Sequence, residues 1–366
     1  MDFSTIGFVG LGLIGGSIAK AIKIYFPDTY IMAYMRNQDT LGEALREGAI
    51  DRACSCVGND FAECDLIFLC APVATNAAYL DVLKPVIKPG CILTDVGSTK
   101  TDIHEKVDEK GLSASFIGGH PMAGSEKTGY ANSYARLIEN AYHIITPGTG
   151  VPDGAVDSFF RLVESLKALP LVIDYRRHDF VTACISHLPH LVASSLVELV
   201  SRLDDEEGMM KRLAAGGFKD ITRIASSSPD MWEQICLTNS DNIIKVLDYY
   251  TGRLDNLKAL IASHDSEGLQ NFFINARDYR NSIPDSMSGP LKPAYALYCE
   301  MADEAGGIAS LTTILADAGL SIKNIGIIHN REYEEAVFNV EFYDKDAYDE
   351  AIKLLRANGY TVYERV

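Results

Sequence analysis

Residues 6–17 read IGFVGLGLIGGS, a short apolar run that breaks into Gly10-x-Gly12-x-x-Gly15 and then into a helical pattern. The spacing predicts a strand, a tight turn and a helix that together receive a dinucleotide. The first glycine permits the turn, the second lets backbone approach a pyrophosphate, and the third lets helix pack closely on sheet. A helix over 13–24 would aim its unpaired N–H groups and positive dipole end at the phosphates. Glycine-rich turns also occur for purely structural reasons, so the context matters. Here residues 5–9 form a β-type run, and Leu13, Ile14, Ile18, Ala21 and Ile22 follow at helical spacing.

From residue 5 to about 175, short β-rich runs alternate with helical patterns, with candidate strands at 30–35, 66–71, 91–96, 115–118, 142–146 and 171–174. That alternation predicts an α/β fold of Rossmann type, a mostly parallel sheet covered by helices on both faces. Beyond Arg176 long helical stretches take over, at 178–203, 207–215, 231–262 and 266–281. They predict an all-α middle domain whose apolar faces suit a core or a dimer interface. IPDSMSGPLKP at 283–293, with three prolines and a glycine, reads as a linker. Residues 295–366 then run strand, helix, strand, strand, helix, strand, with a charge-rich turn at 330–334, the split βαβ arrangement of a ferredoxin-like domain. The expected domains are therefore 1–175, 176–290 and 295–366.

A chain of 366 residues has room for two or three domains with proper cores. Its net charge of −17 argues against nucleic acid and anionic membrane surfaces as partners, so any anionic ligand must be held by local cations. With 13 acids against 6 bases, residues 295–366 in particular are not a nucleic-acid module. The eight cysteines form no CxxC pair and several sit in apolar runs, which reads as reduced thiols of a cytoplasmic protein. The chain enters a strand at once, so no signal peptide is expected, and no apolar stretch is expected to reach the ~18 residues of a bilayer span.

Two turns fall at the carboxyl edge of the expected sheet, where open α/β folds place their ligands. One is Gly97-Ser98-Thr99-Lys100; the other is Gly119-His120-Pro121-Met122-Ala123-Gly124-Ser125-Glu126. A histidine there can accept a proton near neutral pH, although spacing alone fits a turn histidine equally well. Ser186-His187-Leu188-Pro189-His190 interrupts a helical pattern with a proline that removes the bond to the Ile185 carbonyl, and a kink would present His187 and His190 on one face. Lacking an HExxH spacing or a companion Cys and Asp cluster, they suit a substrate pocket or a kinked core helix better than zinc. Arg223 ends the stretch Gly216-Gly217-Phe218-Lys219-Asp220-Ile221-Thr222 near the sole tryptophan, Trp232. It could grip a carboxylate with two parallel hydrogen bonds, but taken alone a surface ion pair with Asp220 or another acid is the simpler account.

Taken together and in this order, GLGLIGGS, DVGSTK, GGHPMAGSEKTG, SHLPH and GGFKDITRIASSSPDMW resemble the motifs of the prephenate dehydrogenase family of tyrosine biosynthesis, including its forms with a C-terminal ACT domain. The match spans essentially the whole chain. The resemblance implies oxidative decarboxylation of prephenate to 4-hydroxyphenylpyruvate with hydride transfer to NAD(P)+, and no metal. It implies that His120 is the catalytic histidine, bonded to the substrate's ring hydroxyl, and that Ser98 orients this pair. Arg223 would bind a substrate carboxylate, with His187, His190, Lys219 and Glu126 around the pocket and Trp232 supporting it. Gly10, Gly12, Leu13, Ile14, Gly15, Arg36, Ala71 and Pro72 would contact the cofactor. Residues 34–37 read Tyr-Met-Arg-Asn where an NAD enzyme usually places an acid for the ribose 2′-hydroxyl. Arg36 could take a 2′-phosphate instead; the family favours NAD+ slightly and leaves NADP+ open.

The similarity to ACT domains implies an amino-acid effector, L-tyrosine, held by Asp303, Gly306 and Asn324 where two copies associate, and hence a homodimer. A domain that only assembles subunits is the alternative. Other readings are an arogenate dehydrogenase, whose substrate carries an ammonium on its side chain, and a non-catalytic nucleotide and amino-acid sensor. The intact Ser98, His120 and Arg223 speak against the sensor. A 3-hydroxyacid or 6-phosphogluconate dehydrogenase type is disfavoured, because a histidine-centred motif stands where those enzymes need a lysine.

Overall fold

The computed structural model describes residues 2–124, 127–283, 295–301, 306–328 and 336–364. The chain divides into two compact units, residues 1–284 and 285–366. In the first, strands β1 (Thr5–Val9), β2 (Tyr30–Tyr34), β3 (Arg52–Cys54), β4 (Leu66–Leu69) and β5 (Ile92–Asp95) form a parallel sheet in the order β3-β2-β1-β4-β5. The chain leaves β1 toward one edge and returns at β4 toward the other, so the switch point that gathers ligands in such sheets lies between β1 and β4. Both strands are covered on two faces, which is why they read TIGFV and LIFL without alternation. Phe8 and Phe68 pair in register and stack at 4.9 Å on the face covered by Ile18 and Ile22, while Val9, Ile67 and Leu69 fill the core on the other face.

A second sheet, β6 (Ile117–Pro121), β7 (Tyr142–Pro147) and β8 (Leu169–Val172), joins the first through a parallel bridge between Leu93 and Phe116. β6 runs antiparallel to β7, and the other described pairings of this unit are parallel. β3, three residues long, is too short to show in the sequence pattern. β6 extends to Pro121 rather than ending at 118, so His120 sits within a strand, opposite Ile144, and the pleat fixes its direction.

Beyond Asp174 the helices Tyr175–Thr182 and Leu188–Leu203 form one rod, joined by the π-helical turn Ala183–His187. The widened turn accommodates the missing N–H of Pro189, where a simple kink was expected. By length and composition this 29-residue rod could cross a membrane, which corrects the expectation that no such stretch exists. A search for an unbroken apolar run passes over one punctuated by histidines and serines. In the structure Ala183 of this rod packs with Ile235, Ile243 and Val246. The expected helix 231–262 is interrupted at Asn239, between Pro229–Thr238 and Ser240–Ala262, and the expected helix 207–215 shrinks to Met209–Leu213.

The second unit holds β9 (Tyr295–Met301), β10 (Ile322–Ile328), β11 (Ala336–Phe342) and β12 (Val362–Glu364) in the order β10-β11-β9-β12, each neighbouring pair antiparallel. The helices Gly307–Asp317 and Lys345–Ala357 bury Leu311, Leu315, Ala351 and Leu355 with Leu297, Phe338 and Val340. Strand and helix order follow the sequence expectation. The linker expected at 283–293, apart from Ile283, and the turn at 330–334 lie outside the described residues.

Candidate active site

A cavity of about 520 Å³ opens between the first-unit sheet and the helix Pro229–Thr238. Gly12, Leu13, Ile14 and Gly15 line one side, with Ala71, Pro72, Ser98 and His120 beside them; Met231, Gln234, Ile235 and Thr238 form the opposite wall. A second cavity of about 290 Å³ shares Gly12, Ala71 and Pro72 with the first and extends to Tyr34, Arg36, Asn37 and Tyr79 at the end of β2.

The glycine turn fits a dinucleotide. Gly10 has φ +95°, which side chains rarely adopt, and a Cβ on Gly15 would lie 2.9 Å from the Gly10 carbonyl, so a larger residue would push the helix off the turn. A Cβ on Gly12 would meet nothing within 4 Å, because the space it faces is open. The helix Leu13–Tyr25 has no side-chain cap at its start, which leaves its first N–H groups for a ligand.

His120 is reached through a close approach of β6 to β5. A Cβ on Gly119 would lie 2.6 Å from the Asp95 carbonyl and 2.9 Å from His143 Nε2, so only glycine permits the contact. The Asp95 carboxylate secures it by accepting from the N–H groups of Gly97 (2.9 Å) and Gly119 (3.2 Å) and pairing with the Lys100 ammonium, which also donates to the Gly119 carbonyl at 2.9 Å. Both charges are buried. Removing one would strand the other, at a cost of about 3–5 kcal/mol.

The His120 ring lies at the cavity with its Nδ1 2.8 Å from His178 Nε2. His178 Nδ1 is 2.8 Å from Asp179 Oδ1, and the Asp179 carboxylate also accepts the N–H groups of Lys100 (2.8 Å) and Thr101 (2.7 Å) at the start of the helix Thr101–Glu109. Burial pushes the Asp179 carboxyl up, but the hydrogen bonds from His178, Thr101 and Lys100 outweigh it and hold the group below its ordinary value. Burial pushes His120 well below the ordinary imidazole value, and His178, Lys100, His143 and His187 further oppose a positive charge there. The ring is therefore neutral near pH 7 and able to accept a proton.

Ser98 lines the same cavity, while the hydrogen bond that holds the His120 ring is made with His178. Sequence reasoning singled out neither His178 nor Asp179. Their only signal was an adjacent histidine and acid at the head of an apolar helix.

The expected substrate set is not gathered at this cavity. His190 stacks on Trp232 at 3.5 Å and His187 meets it edge-on at 6.0 Å, forming a packed ring cluster. Trp232 belongs to the helix that walls the cavity, yet residues 231, 234, 235 and 238 face the opening at helical spacing and Trp232 does not. Asn239 Nδ2 donates to the Asp179 carbonyl (2.8 Å) and lies 3.2 Å from His187 Nδ1. Burial pushes His187 down to about 4 and lowers His190. Lys219 and Arg223 are exposed, on the helix Gly216–Thr222 and the turn after it, and do not line the cavity. Glu126 lies outside the described residues, as does Asp303. Gly306 and Asn324 are both exposed, at the head of the helix Gly307–Asp317 and on β10. Among the described residues no group of three or more His, Cys, Asp or Glu is placed to hold a metal ion.

Residues 18–171 match the family model of the prephenate dehydrogenase nucleotide-binding domain, and residues 174–275 that of the prephenate dehydrogenase dimerization domain. The chain belongs to the prephenate dehydrogenase family. It is thereby an NAD(P)-dependent oxidoreductase. A prephenate dehydrogenase of Bacillus subtilis (strain 168) is 38% identical over 357 residues, 97% of this chain and 96% of that one. The crystal structure of the Aquifex aeolicus prephenate dehydrogenase in complex with hydroxyphenyl propionate and NAD+ has a TM-score of 0.73 at 30% identity, covering 78% of this chain and 99% of the other. The Synechocystis arogenate dehydrogenase structure has a TM-score of 0.70 at 29% identity, covering 76% of this chain and 100% of the other.

Proposed function

We propose that the chain oxidatively decarboxylates prephenate to 4-hydroxyphenylpyruvate, with His120 as the proton acceptor. The observation that carries this reading is a neutral, buried histidine sharing one cavity with the glycine turn. Gly10, Gly12, Leu13, Ile14 and Gly15 would hold the pyrophosphate, with Ala71 and Pro72 beside it and Arg36 at the adenosine end. When bound, the nicotinamide accepts the hydride from the ring carbon bearing the hydroxyl.

His120 takes the hydroxyl proton as that C–H bond breaks, so the O–H electron pair becomes the second bond of a carbonyl. The ring carboxylate departs as carbon dioxide, its C–C electron pair enters the ring, and His120 returns the proton to the phenolate oxygen of the aromatic product. Such a base contributes typically ~10²–10⁴-fold in rate, and fixing the reactants up to ~7–11 kcal/mol. Ser98 orients the hydroxyl, and Arg223 takes a substrate carboxylate with Lys219, His187, His190 and Glu126 around it and Trp232 as support. In the single chain Arg223, Lys219, His187, His190 and Trp232 do not line the cavity, so the reading requires substrate binding to bring Arg223 to it.

For assembly, Leu199, Leu203, Tyr249, Ile261 and Phe273 are exposed on three long helices, a surface that a second copy would cover in a homodimer. The match to a dimerization domain supports this, and the two family models meet near the proposed boundary at 175/176. The strand and helix order of the second unit supports a ferredoxin-like ACT domain over 295–366, with L-tyrosine as effector at Asp303, Gly306 and Asn324. All eight cysteines are free, which suits the reducing cytoplasm.

Steady-state assays with prephenate and arogenate, each with NAD+ and NADP+, test the reading. Turnover of prephenate is expected. Turnover of arogenate alone would move the assignment to the activity named for the Synechocystis relative, and turnover of neither would remove the enzymatic reading.

A further inference from the structure

We propose that Asp179 and His178 are positioning residues that hold His120 in the tautomer whose Nε2 is unprotonated. This rests on reading His120 as the proton acceptor. The Asp179 carboxylate has no proton to give: it already accepts the N–H groups of Lys100 and Thr101 at a helix start. The contact to His178 Nδ1 is therefore an N–H donated by the histidine. In an uncharged His178 this leaves Nε2 as a lone pair, and that atom faces His120 Nδ1 at 2.8 Å. His120 Nδ1 must then carry the hydrogen and donate it, and Nε2, its other ring nitrogen, is left to take a proton.

The opposite tautomer would set two lone pairs or two hydrogens against each other in a site without exposure, since His178 is 1% and Asp179 0% exposed. The groups around His120 are His178, the buried Lys100 paired with Asp95, His143, and His187, which Asn239 contacts. Burial among them keeps His120 uncharged, so what remains to be set is which nitrogen bears the hydrogen. After proton transfer, the imidazolium keeps its Nδ1–H bond to His178, and the Asp179 charge at the end of the chain stabilises it.

The test uses the full chain. Asp179→Asn leaves one oxygen for the three donors of His178, Lys100 and Thr101 and removes the charge that holds the hydrogen on His178 Nδ1, which frees both histidines to reverse and to put the hydrogen on His120 Nε2. It should lower kcat by at least ~100-fold while NAD+ affinity and circular dichroism stay unchanged. His178→Gln can accept from His120 with its carbonyl and donate to Asp179 with its amide, so it should keep kcat within about tenfold of the parent. A folded Asp179→Asn enzyme with kcat within about threefold of the parent overturns the proposal, as does a His178→Gln enzyme as impaired as Asp179→Asn.

The ¹⁵N spectrum of the parent enzyme decides without any variant, even if Asp179→Asn fails to fold. A hydrogen on His120 Nδ1 is expected at neutral pH, and one on Nε2 overturns the proposal. His120→Asn separates the two claims. If it loses turnover and Asp179→Asn does not, only the positioning role falls; if it retains turnover, the base assignment falls and the positioning role with it.

Discussion

On the sheet side of the cavity, each functional group is held from several directions. His120 is fixed by the pleat of β6, by the glycine that lets β6 reach β5, and by His178; Asp95 and Lys100 tie the two strand ends together. On the helical side, Lys219 and Arg223 are exposed and His187, His190 and Trp232 pack on one another away from the opening. The sheet side is preorganised in the single chain and the helical side is not. The proposed proton acceptor sits where β-structure and a buried ion pair fix it, and the proposed carboxylate ligand Arg223 sits on a short helical turn.

The contrast breaks most easily at His120. His120→Asn should lower kcat by about 10²–10⁴-fold with cofactor still bound, because the sheet side then lacks the proposed proton acceptor. Most of kcat surviving would reduce that side to a scaffold. Arg223→Ala should act on the helical side, raising KM for prephenate by about 10–100-fold with a smaller loss in kcat, the size expected for a charge-assisted pair. An unchanged KM in a folded variant would leave Arg223 a structural ion partner.

Both sides carry buried rings that should make the fold acid-sensitive. Burial pushes His104, His143 and His187 down to about 4, 3 and 4. Unfolded, each titrates near ~6.5, so below that pH the unfolded chain binds protons the folded chain does not, and stability falls as pH drops from ~6.5 toward ~4. A loss on the order of a few kcal/mol should appear in urea midpoints compared between neutral and mildly acid buffer. Equal midpoints would contradict the buried, neutral state of these rings.

How far the sequence showed this contrast depends on the range of the contacts. The glycine turn, β1 and the motif carrying His120 are local patterns, and they were legible. His178 touches His120 across 58 residues of chain, and Asp179 reaches Lys100 across 79, so no local pattern announces either. The helical motifs were legible as motifs but read as one pocket, because contiguous residues point in different directions around a helix. The π-turn before Pro189 was read as a kink, since a proline removes one hydrogen bond in either case.

Smaller effects sharpen the picture at its edges. Arg36→Ala should cut kcat/KM for NADP+ by about fivefold, the order of one exposed ion pair, and leave NAD+ untouched. Equal effects on both cofactors would move the discriminating contact elsewhere. Deleting residues 291–366 should leave activity within about twofold and abolish sensitivity to tyrosine, since a ligand acts only through a state it binds better. Undiminished tyrosine inhibition in the shortened chain would place its effect at the active site.

Cofactor and proton acceptor are proposed to meet in the cavity beside Gly12, and a substitution at that glycine tests this. A Cβ at Gly12 would meet no protein atom within 4 Å, so Gly12→Val should fold as the parent does while its methyl groups occupy the space a pyrophosphate needs. An overpacking cost of about 2–3 kcal/mol should then weaken NAD+ binding roughly 30–150-fold. With prephenate and NAD+, the parent should release NADH and carbon dioxide in equal amounts, and Gly12→Val should do so only at raised NAD+. Unaltered NAD+ affinity in the folded variant would contradict the account.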